Sequence, residues 1–113
     1  MSSILSPPEF YILLSLAQKE RHGYDIMKQV DADSDGEITL GPGTLYGAIK
    51  RMLVSELIVE SAHEHEDTRR RYYLLTSKGK TALSLELNRF NTVVTLAKKK
   101  KLFDATAASS LPL

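Results

Sequence analysis

The segment Gly41–Met52, GPGTLYGAIKRM, has the pattern of a helix start that leads into an amphipathic helix. Pro42 suits the first turn, where its missing N–H needs no acceptor within the helix. Apolar residues then recur at helical spacing, and they are Leu45, Ile49, Met52 and Leu53. One face of this helix is therefore predicted to be buried and the opposite face exposed.

A first helix is predicted from about Pro7 to Lys19. Ser6-Pro7-Pro8-Glu9 matches a capping box, in which Ser6 and Glu9 satisfy each other's backbone amides. One face carries Phe10, Leu13, Leu14 and Ala17. Ile12 and Leu16 fall on nearly the opposite face, so we expect them to contact a second surface.

A shorter second helix follows the turn-like segment Lys19–Gly23. It groups Ile26, Met27 and Val30 and is predicted to end in the polar loop Asp31–Gly36. Beside Gly23, His22 is expected to form a local hydrogen bond.

The pattern changes after the third helix. The β-branched stretch Leu57–Val59 and the stretch Arg71–Thr76 flank polar residues 63–70, which predicts a β-hairpin. Helical spacing returns from Ser77, with a seam formed by Leu83, Leu87, Phe90, Val94 and Ala97. Three helices followed by a hairpin is the order of a winged helix-turn-helix, so we predict a mostly helical α+β fold with an added C-terminal helix.

Composition excludes several classes of protein. Among 113 residues, 42% are hydrophobic and 26% charged, as in soluble globular proteins. The longest apolar run, Phe10–Leu14, is too short to span a membrane, and we expect a cytoplasmic protein. There is no cysteine, nucleophile-elbow pattern or glycine-rich phosphate loop, so we predict neither an enzyme nor a bound cofactor.

Net charge gives little support for nucleic-acid binding. Residues 1–80 carry 10 Lys and Arg against 12 Asp and Glu, whereas residues 81–113 carry 5 against 2. A nucleic-acid hypothesis must therefore rest on where the cations lie.

Four motifs resemble one family, the PadR family of bacterial transcriptional regulators. They are His22–Ile26 (HGYDI), Gly43–Met52 (GTLYGAIKRM), Arg70–Thr76 (RRYYLLT) and Lys78-Gly79, in family order across about residues 8–85. The resemblance implies a homodimer in which the third helix enters the major groove, the hairpin or wing contacts the DNA backbone, and the C-terminal helix forms the dimer. A single C-terminal helix is similar to the short subfamily.

The third helix and the wing supply the candidate DNA-binding residues. Small residues let a helix backbone approach DNA, and cations contact phosphates or guanine edges. The set is Gly43, Thr44, Tyr46, Gly47, Lys50, Arg51, Arg69, Arg70 and Arg71. If the strand begins among the three arginines, at least one is expected to face phosphate.

The wing tip departs from the family pattern. Glu64-His65-Glu66-Asp67-Thr68 is acidic and lacks the glycine that is common there. Neutralisation of these acids is the alternative role for the arginines. The segment Lys98–Lys101 fits a solvated helix end, where cations are favourable.

Two further motifs resemble metal sites. Asp31–Ile38 matches the first eight positions of an EF-hand loop, but Pro42 stands where the bidentate glutamate belongs. His63 and His65 alternate as a metal pair would, without fixed further ligands. A calcium-responsive module and a winged-helix protein-interaction domain without DNA binding are therefore the alternative functions.

The expected organisation is a DNA-binding domain at residues 1–76, a dimerisation helix at 77–103 and a flexible tail at 104–113. The dimer interface is expected to comprise Ile12, Leu16, Leu83, Leu87, Phe90, Val94 and Ala97. We expect a repressor on a pseudo-palindromic operator. Some short members of the family bind aromatic ligands through a tryptophan, which this chain lacks, so the sequence identifies no small-molecule effector.

Overall fold

Four helices and a small antiparallel sheet form the structure, a computed structural model that describes residues 5–61 and 70–102. The elements in order are α1 (Pro7–Ser15), β1 (Arg21–His22), α2 (Gly23–Asp33), α3 (Pro42–Val54), β2 (Ile58–Glu60), β3 (Tyr72–Leu75) and α4 (Ser77–Lys99). The predicted α+β class and the order of helices and hairpin are confirmed. Wing-tip residues 62–69, with His63, His65 and Arg69, and tail residues 103–113 lie outside the described residues.

Helix α1 begins as predicted but ends four residues early. The Ser6 amide donates to Glu9 Oε1 at 3.0 Å, and Ser6 Oγ accepts from the Glu9 amide at 3.3 Å, completing the capping box. The Ser15 carbonyl at the other end accepts a hydrogen bond from Arg21 Nε at 2.6 Å. A buried side chain thus occupies an acceptor that a longer helix would have given to Lys19, which explains the early end.

The second apolar face of α1 lies in the core of its own chain. Ile12 is 0% exposed and Leu16 3%, as buried as Leu13 on the first face. Ile12 and Leu13 point about 100° apart on a helix, so the core covers α1 on more than one side. The expectation that Ile12 and Leu16 contact a partner subunit is corrected, because neither is accessible.

The sheet contains one more strand than predicted. Strands β2 and β3 pair antiparallel, with Val59 opposite Leu74, and confirm the hairpin. Residues Arg21 and His22, predicted as part of a turn, form β1 on the other edge of β3, giving the order β1-β3-β2. A strand of two residues has no alternation to detect, and its pairing depends on a segment fifty positions later.

The acidic segment after α2 does not form a calcium loop. Asp31 and Asp33 belong to α2, where residues two apart point about 200° away from each other. Asp31 Oδ1 accepts from the Thr39 hydroxyl at 3.1 Å, and Asp33 Oδ1 accepts from Gln29 at 2.8 Å. The helix therefore separates carboxylates that an EF-hand loop would converge, and the calcium-responsive alternative is contradicted.

The chain divides into two compact units, residues 1–83 and 84–113. The first turns of α4 belong to the first unit, since Leu83 is only 6% exposed in its core. The Thr76 hydroxyl accepts from the Gly79 amide at 2.9 Å and donates to the Leu57 carbonyl at 3.0 Å, which fixes the start of α4 on this unit. Leu83 is therefore removed from the expected dimer seam. Among the described residues, no helix is long and apolar enough to cross a membrane.

Candidate nucleic-acid interface

Helix α3 presents two faces of opposite character, as the sequence predicted. Its inner face is buried through Leu45, Ala48, Ile49 and Met52. Gly43, Thr44, Lys50 and Arg51 are exposed on the outer side, with Gly47 half-buried and Tyr46 50% exposed. Val54, 79% exposed, shares this outer face and was not predicted as part of it.

The glycines of the outer face are not required by packing within the described chain. A Cβ at Gly43 would meet nothing within 4 Å, and one at Gly47 would meet only Arg51 Nη1, at 3.6 Å. Two bare stretches of helix backbone are thus accessible between the exposed cations. A surface of this kind permits close approach by a second molecule.

Arg51 is held loosely on this face. Its Nε lies 3.9 Å from Glu9 Oε2, and its side chain is 66% exposed. An exposed pair of this length contributes little stability, so Arg51 can exchange Glu9 for another anion.

The motifs around Gly23 and Tyr46 meet in space. A Cβ on Gly23 would collide with the Tyr46 hydroxyl oxygen and lie 2.8 Å from Tyr46 Cζ. The Tyr46 phenol of α3 therefore lies against the first residue of α2, in space that only glycine leaves free.

The start of α2 is capped by His22. His22 Nδ1 accepts from the Asp25 amide at 3.3 Å, and the ring stands edge-on to Tyr72 with centroids 5.2 Å apart. The local hydrogen bond predicted for His22 is confirmed. Arg21 beside it is 7% exposed and donates from Nη1 to Asp25 at 3.1 Å.

The wing arginines precede the strand instead of belonging to it. Strand β3 begins at Tyr72, and both Arg70 and Arg71 are exposed. The expectation that the strand begins among the arginines is corrected: alternation of strand faces does not orient them. Arg71 Nη1 donates to Glu60 Oε2 of β2 at 3.2 Å, an acid that the sequence did not single out.

Tyr73 is a buried phenol close to these groups. It is 4% exposed, and burial raises its pKa above the ordinary value, as do the charges of Glu60 and Tyr46, while Arg71 lowers it. The Tyr73 hydroxyl therefore keeps its proton at neutral pH and remains a hydrogen-bond donor.

Comparison with known proteins identifies the family. A profile of the transcriptional regulator PadR-like family matches residues 12–85. An uncharacterized protein of Lysinibacillus sphaericus is 31% identical over 74 residues, which cover 65% of this chain and 68% of that protein. The chain belongs to the PadR-like family.

Solved structures share the fold. A PadR family regulator of Clostridium difficile R20291 is 27% identical with a TM-score of 0.69, covering 83% of this chain and 97% of that one. The smu.1704 protein of Streptococcus mutans has 21% identity and a TM-score of 0.68, covering 92% and 98%. Bacillus subtilis PadR, solved in complex with operator DNA, has 22% identity and a TM-score of 0.61, covering 70% and 45%.

Family membership confirms two predictions from sequence. This PadR-like chain is a transcriptional regulator and not an enzyme. Its single C-terminal helix is consistent with the short subfamily.

The second unit carries an exposed apolar surface on α4. Leu87 is 44% exposed, Phe90 48% and Val94 37%, and Ala97 is half-buried. Successive members of this set are three or four positions apart, so all four lie on one face and form what remains of the predicted seam. Leu85, Val93 and Leu96 are further exposed apolar residues of the same helix.

Several residues that line the candidate interface were missed by sequence reasoning. Gly23 and Tyr24 lie in a motif that was recognised as a family feature but given no contact. Tyr73 was ambiguous, because Tyr72 and Tyr73 are adjacent on a strand and only its register shows which one is buried.

Proposed function

We propose that this PadR-like protein is a DNA-binding repressor that acts as a homodimer on a pseudo-palindromic operator. The observation that carries the proposal is the outer face of α3, where exposed cations flank glycines that the chain's own packing does not require. Such a helix fits the major groove, with its backbone close to base edges and its cations near phosphates. The fold it shares with B. subtilis PadR, solved with operator DNA, supports this reading.

The expected contacts divide into reading and positioning. Gly43, Thr44 and Gly47 lie where the helix backbone comes closest to bases, while Lys50 and Arg51 reach bases or phosphates. Tyr46 and the wing residues Arg69, Arg70 and Arg71 are proposed to contact the backbone. A DNA-binding repressor must share a compartment with the chromosome, so the proposal includes a cytoplasmic location.

The test begins with a duplex selected from a random pool by the wild-type protein. Affinity is measured by fluorescence anisotropy across a salt series, for wild type and for Lys50→Ala with Arg51→Ala. Loss of two phosphate contacts lowers the magnitude of the slope of log K against log salt by up to about 1.8 per bound subunit.

A charge-matched control removes two cations elsewhere. Lys98→Ala with Lys99→Ala changes the net charge equally in the last turn of α4. It is expected to leave affinity and slope close to wild type. Unchanged affinity in a folded Lys50/Arg51 variant would refute the role of α3, and failure to select any duplex would favour a protein-interaction domain.

Dimerisation is proposed to use the remaining seam, Leu87, Phe90, Val94 and Ala97. Helix α4 has 23 residues and is about 35 Å long at 1.5 Å per residue. A two-fold axis through such a helix pair would hold two copies of α3 for successive major grooves, about 34 Å apart. Binding to one half-site is then expected to be weak.

Paired glutamates test the seam. Leu87→Glu with Val94→Glu places charges where burial without partners is costly, and the expected product is a monomer by light scattering with near-baseline operator binding. Asn88→Glu with Thr95→Glu has the same spacing on the polar side of α4 and is expected to stay dimeric. A seam variant that remains a dimer would contradict the assignment.

Repression is proposed to follow from occupancy of a promoter. In a reporter with the selected site over the promoter, wild type is expected to lower transcription and the Lys50/Arg51 variant is not. An increase with wild type would show activation instead.

A further inference from the structure

A groove of about 290 Å³ lies where the start of α2, the middle of α3 and the residues before β3 meet. Gly23, Tyr24, Tyr46, Arg70, Arg71 and Tyr73 line it, together with the capping His22. We propose that this groove binds a single phosphodiester of the DNA backbone and fixes the register of α3 on the operator. The inference rests on the proposed function and adds a site to it, formed largely by residues outside the α3 face.

Tyr73 is the observation that points to a ligand. Its side chain is 4% exposed, yet its hydroxyl has no hydrogen-bond partner in the described part of the chain. A buried hydroxyl without a partner is unfavourable, and native proteins rarely keep one without a reason. A phosphate oxygen in the groove would accept from it.

Further donors converge on the same space. The phenol of Tyr46 lies against Gly23, at the positive end of the α2 dipole. The His22 ring already caps the Asp25 amide, whereas the amides of Gly23 and Tyr24, two positions and one position earlier, have no acceptor within the helix. Helix starts of this kind accept anions readily.

Charged groups of the groove favour an anionic ligand. Arg70 and Arg71 belong to its lining, and Arg71 is paired with Glu60. Asp25 in the first turn of α2 is paired with Arg21. Guanidinium groups and the start of a helix both attract a phosphate oxygen.

The position of the groove favours DNA over a small ligand. Tyr46 belongs to both the groove and the flank of the exposed α3 face, one turn before Lys50. A helix seated in a major groove would thus have a backbone phosphate beside Tyr46.

The experiment tests whether the effect of removing one backbone charge from the DNA depends on one side chain of the protein. Methylphosphonates, which remove one backbone charge each, are placed singly along the selected duplex. At one position per half-site, wild-type affinity is expected to fall about tenfold. Tyr73→Phe is expected to bind the unmodified duplex several-fold more weakly than wild type does. On the duplex with the methylphosphonate at that position, the substitution is expected to lower affinity little further.

Two further variants serve as a second test of the groove and as a control. Arg70→Ala changes an exposed residue and is expected to show the same coupling without affecting folding. Tyr11→Phe removes a phenol hydroxyl from α1, outside the groove, and is expected to behave as wild type. Inorganic phosphate, added at constant ionic strength, is expected to leave the coupling unchanged.

The outcomes separate the two proposals. In one outcome, binding depends on Lys50 and Arg51, but the effects of the methylphosphonates simply add to those of Tyr73→Phe and Arg70→Ala. That outcome overturns the phosphate site in the groove and leaves the proposed role of α3 intact. Competition by inorganic phosphate that Tyr73→Phe abolishes also overturns it, since the ligand would then be a free anion. If no duplex binds with salt dependence, both proposals fail.

Discussion

Gly23 and Gly79 both stand in motifs of the family, but the structure gives them different reasons to be glycine. In Gly79→Ala, the new methyl would collide with the Leu57 carbonyl oxygen and lie 3.1 Å from its carbon and 2.9 Å from Leu75 Cδ1. A backbone carbonyl cannot move aside cheaply, and overpacking of this kind costs about 1–3 kcal/mol. The same carbonyl accepts from Thr76, whose weakened hydrogen bond adds about 1 kcal/mol.

In Gly23→Ala the methyl would meet the far end of Tyr46, a half-exposed side chain that can swing into solvent. The better helix propensity of alanine, worth up to about 1 kcal/mol, offsets the lost contact. The same propensity gain applies at Gly79, which lies in the first turn of α4. We expect the free energy of unfolding to fall by about 1–4 kcal/mol in Gly79→Ala, and to stay within about 1 kcal/mol of wild type in Gly23→Ala.

DNA binding is expected to reverse that order for the folded proteins. Displacing Tyr46 would remove its proposed hydrogen bond to a charged phosphate, which is worth about 1.5 kcal/mol or tenfold in affinity per half-site. Urea unfolding followed by circular dichroism measures stability, and anisotropy measures affinity. In a Tyr46→Ala background, Gly23→Ala is expected to cost no further affinity.

Two results would refute this reasoning. One is a Gly23→Ala protein as destabilised as Gly79→Ala, which would mean that Tyr46 cannot move. The other is a Gly79→Ala protein as stable as wild type. Gly43→Ala, where a methyl meets nothing within 4 Å, is the control and should be at least as stable as wild type.

Three further predictions concern stability. Burial is the first cause of the raised pKa of Tyr73. The stabilising contribution of this shift is complete below about pH 10 and is lost as the pH rises through the folded-state pKa. Urea midpoints at pH 9 and 11 should therefore differ less in Tyr73→Phe than in wild type. Ser6→Ala removes the acceptor for the Glu9 amide and should cost about 1 kcal/mol in the same assay, and no loss would deny the cap a role. Arg21→Met leaves the buried Ser15 carbonyl without its donor, for a loss of about 1–3 kcal/mol; a neutral result would mean that water replaces the guanidinium.

Local signals in the sequence were sufficient for most of the fold. Ser6 and Glu9 specify a cap by spacing alone, and the stripe on α3 orients that helix without knowledge of its neighbours. Both features depend on residues within a few positions of one another. The outer face of α3, with Lys50 and Arg51, followed directly from its inner face.

What failed depends on distant parts of the chain. Ile12 and Leu16 were placed on a partner because the pattern shows that a face is apolar but not what covers it. Leu83 was assigned to the seam for the same reason, because the heptad spacing continues across the boundary between the units. The groove could not be predicted, because Gly23, Tyr46 and Tyr73 meet only after the sheet has formed.

Strand β3 lies between β1 and β2, so its backbone groups pair with a strand on each side, while β1 and β2 have one neighbouring strand each. Slow hydrogen exchange is therefore expected to concentrate in Tyr72–Leu75. This order also has a consequence during synthesis. The segments that precede β3 include α1, α2 and α3, yet β1 and β2 have no common partner until residue 75 has emerged. A nascent chain stopped before that point would expose two strand edges and part of its apolar core. These exposed surfaces are the features that proteases and chaperones bind.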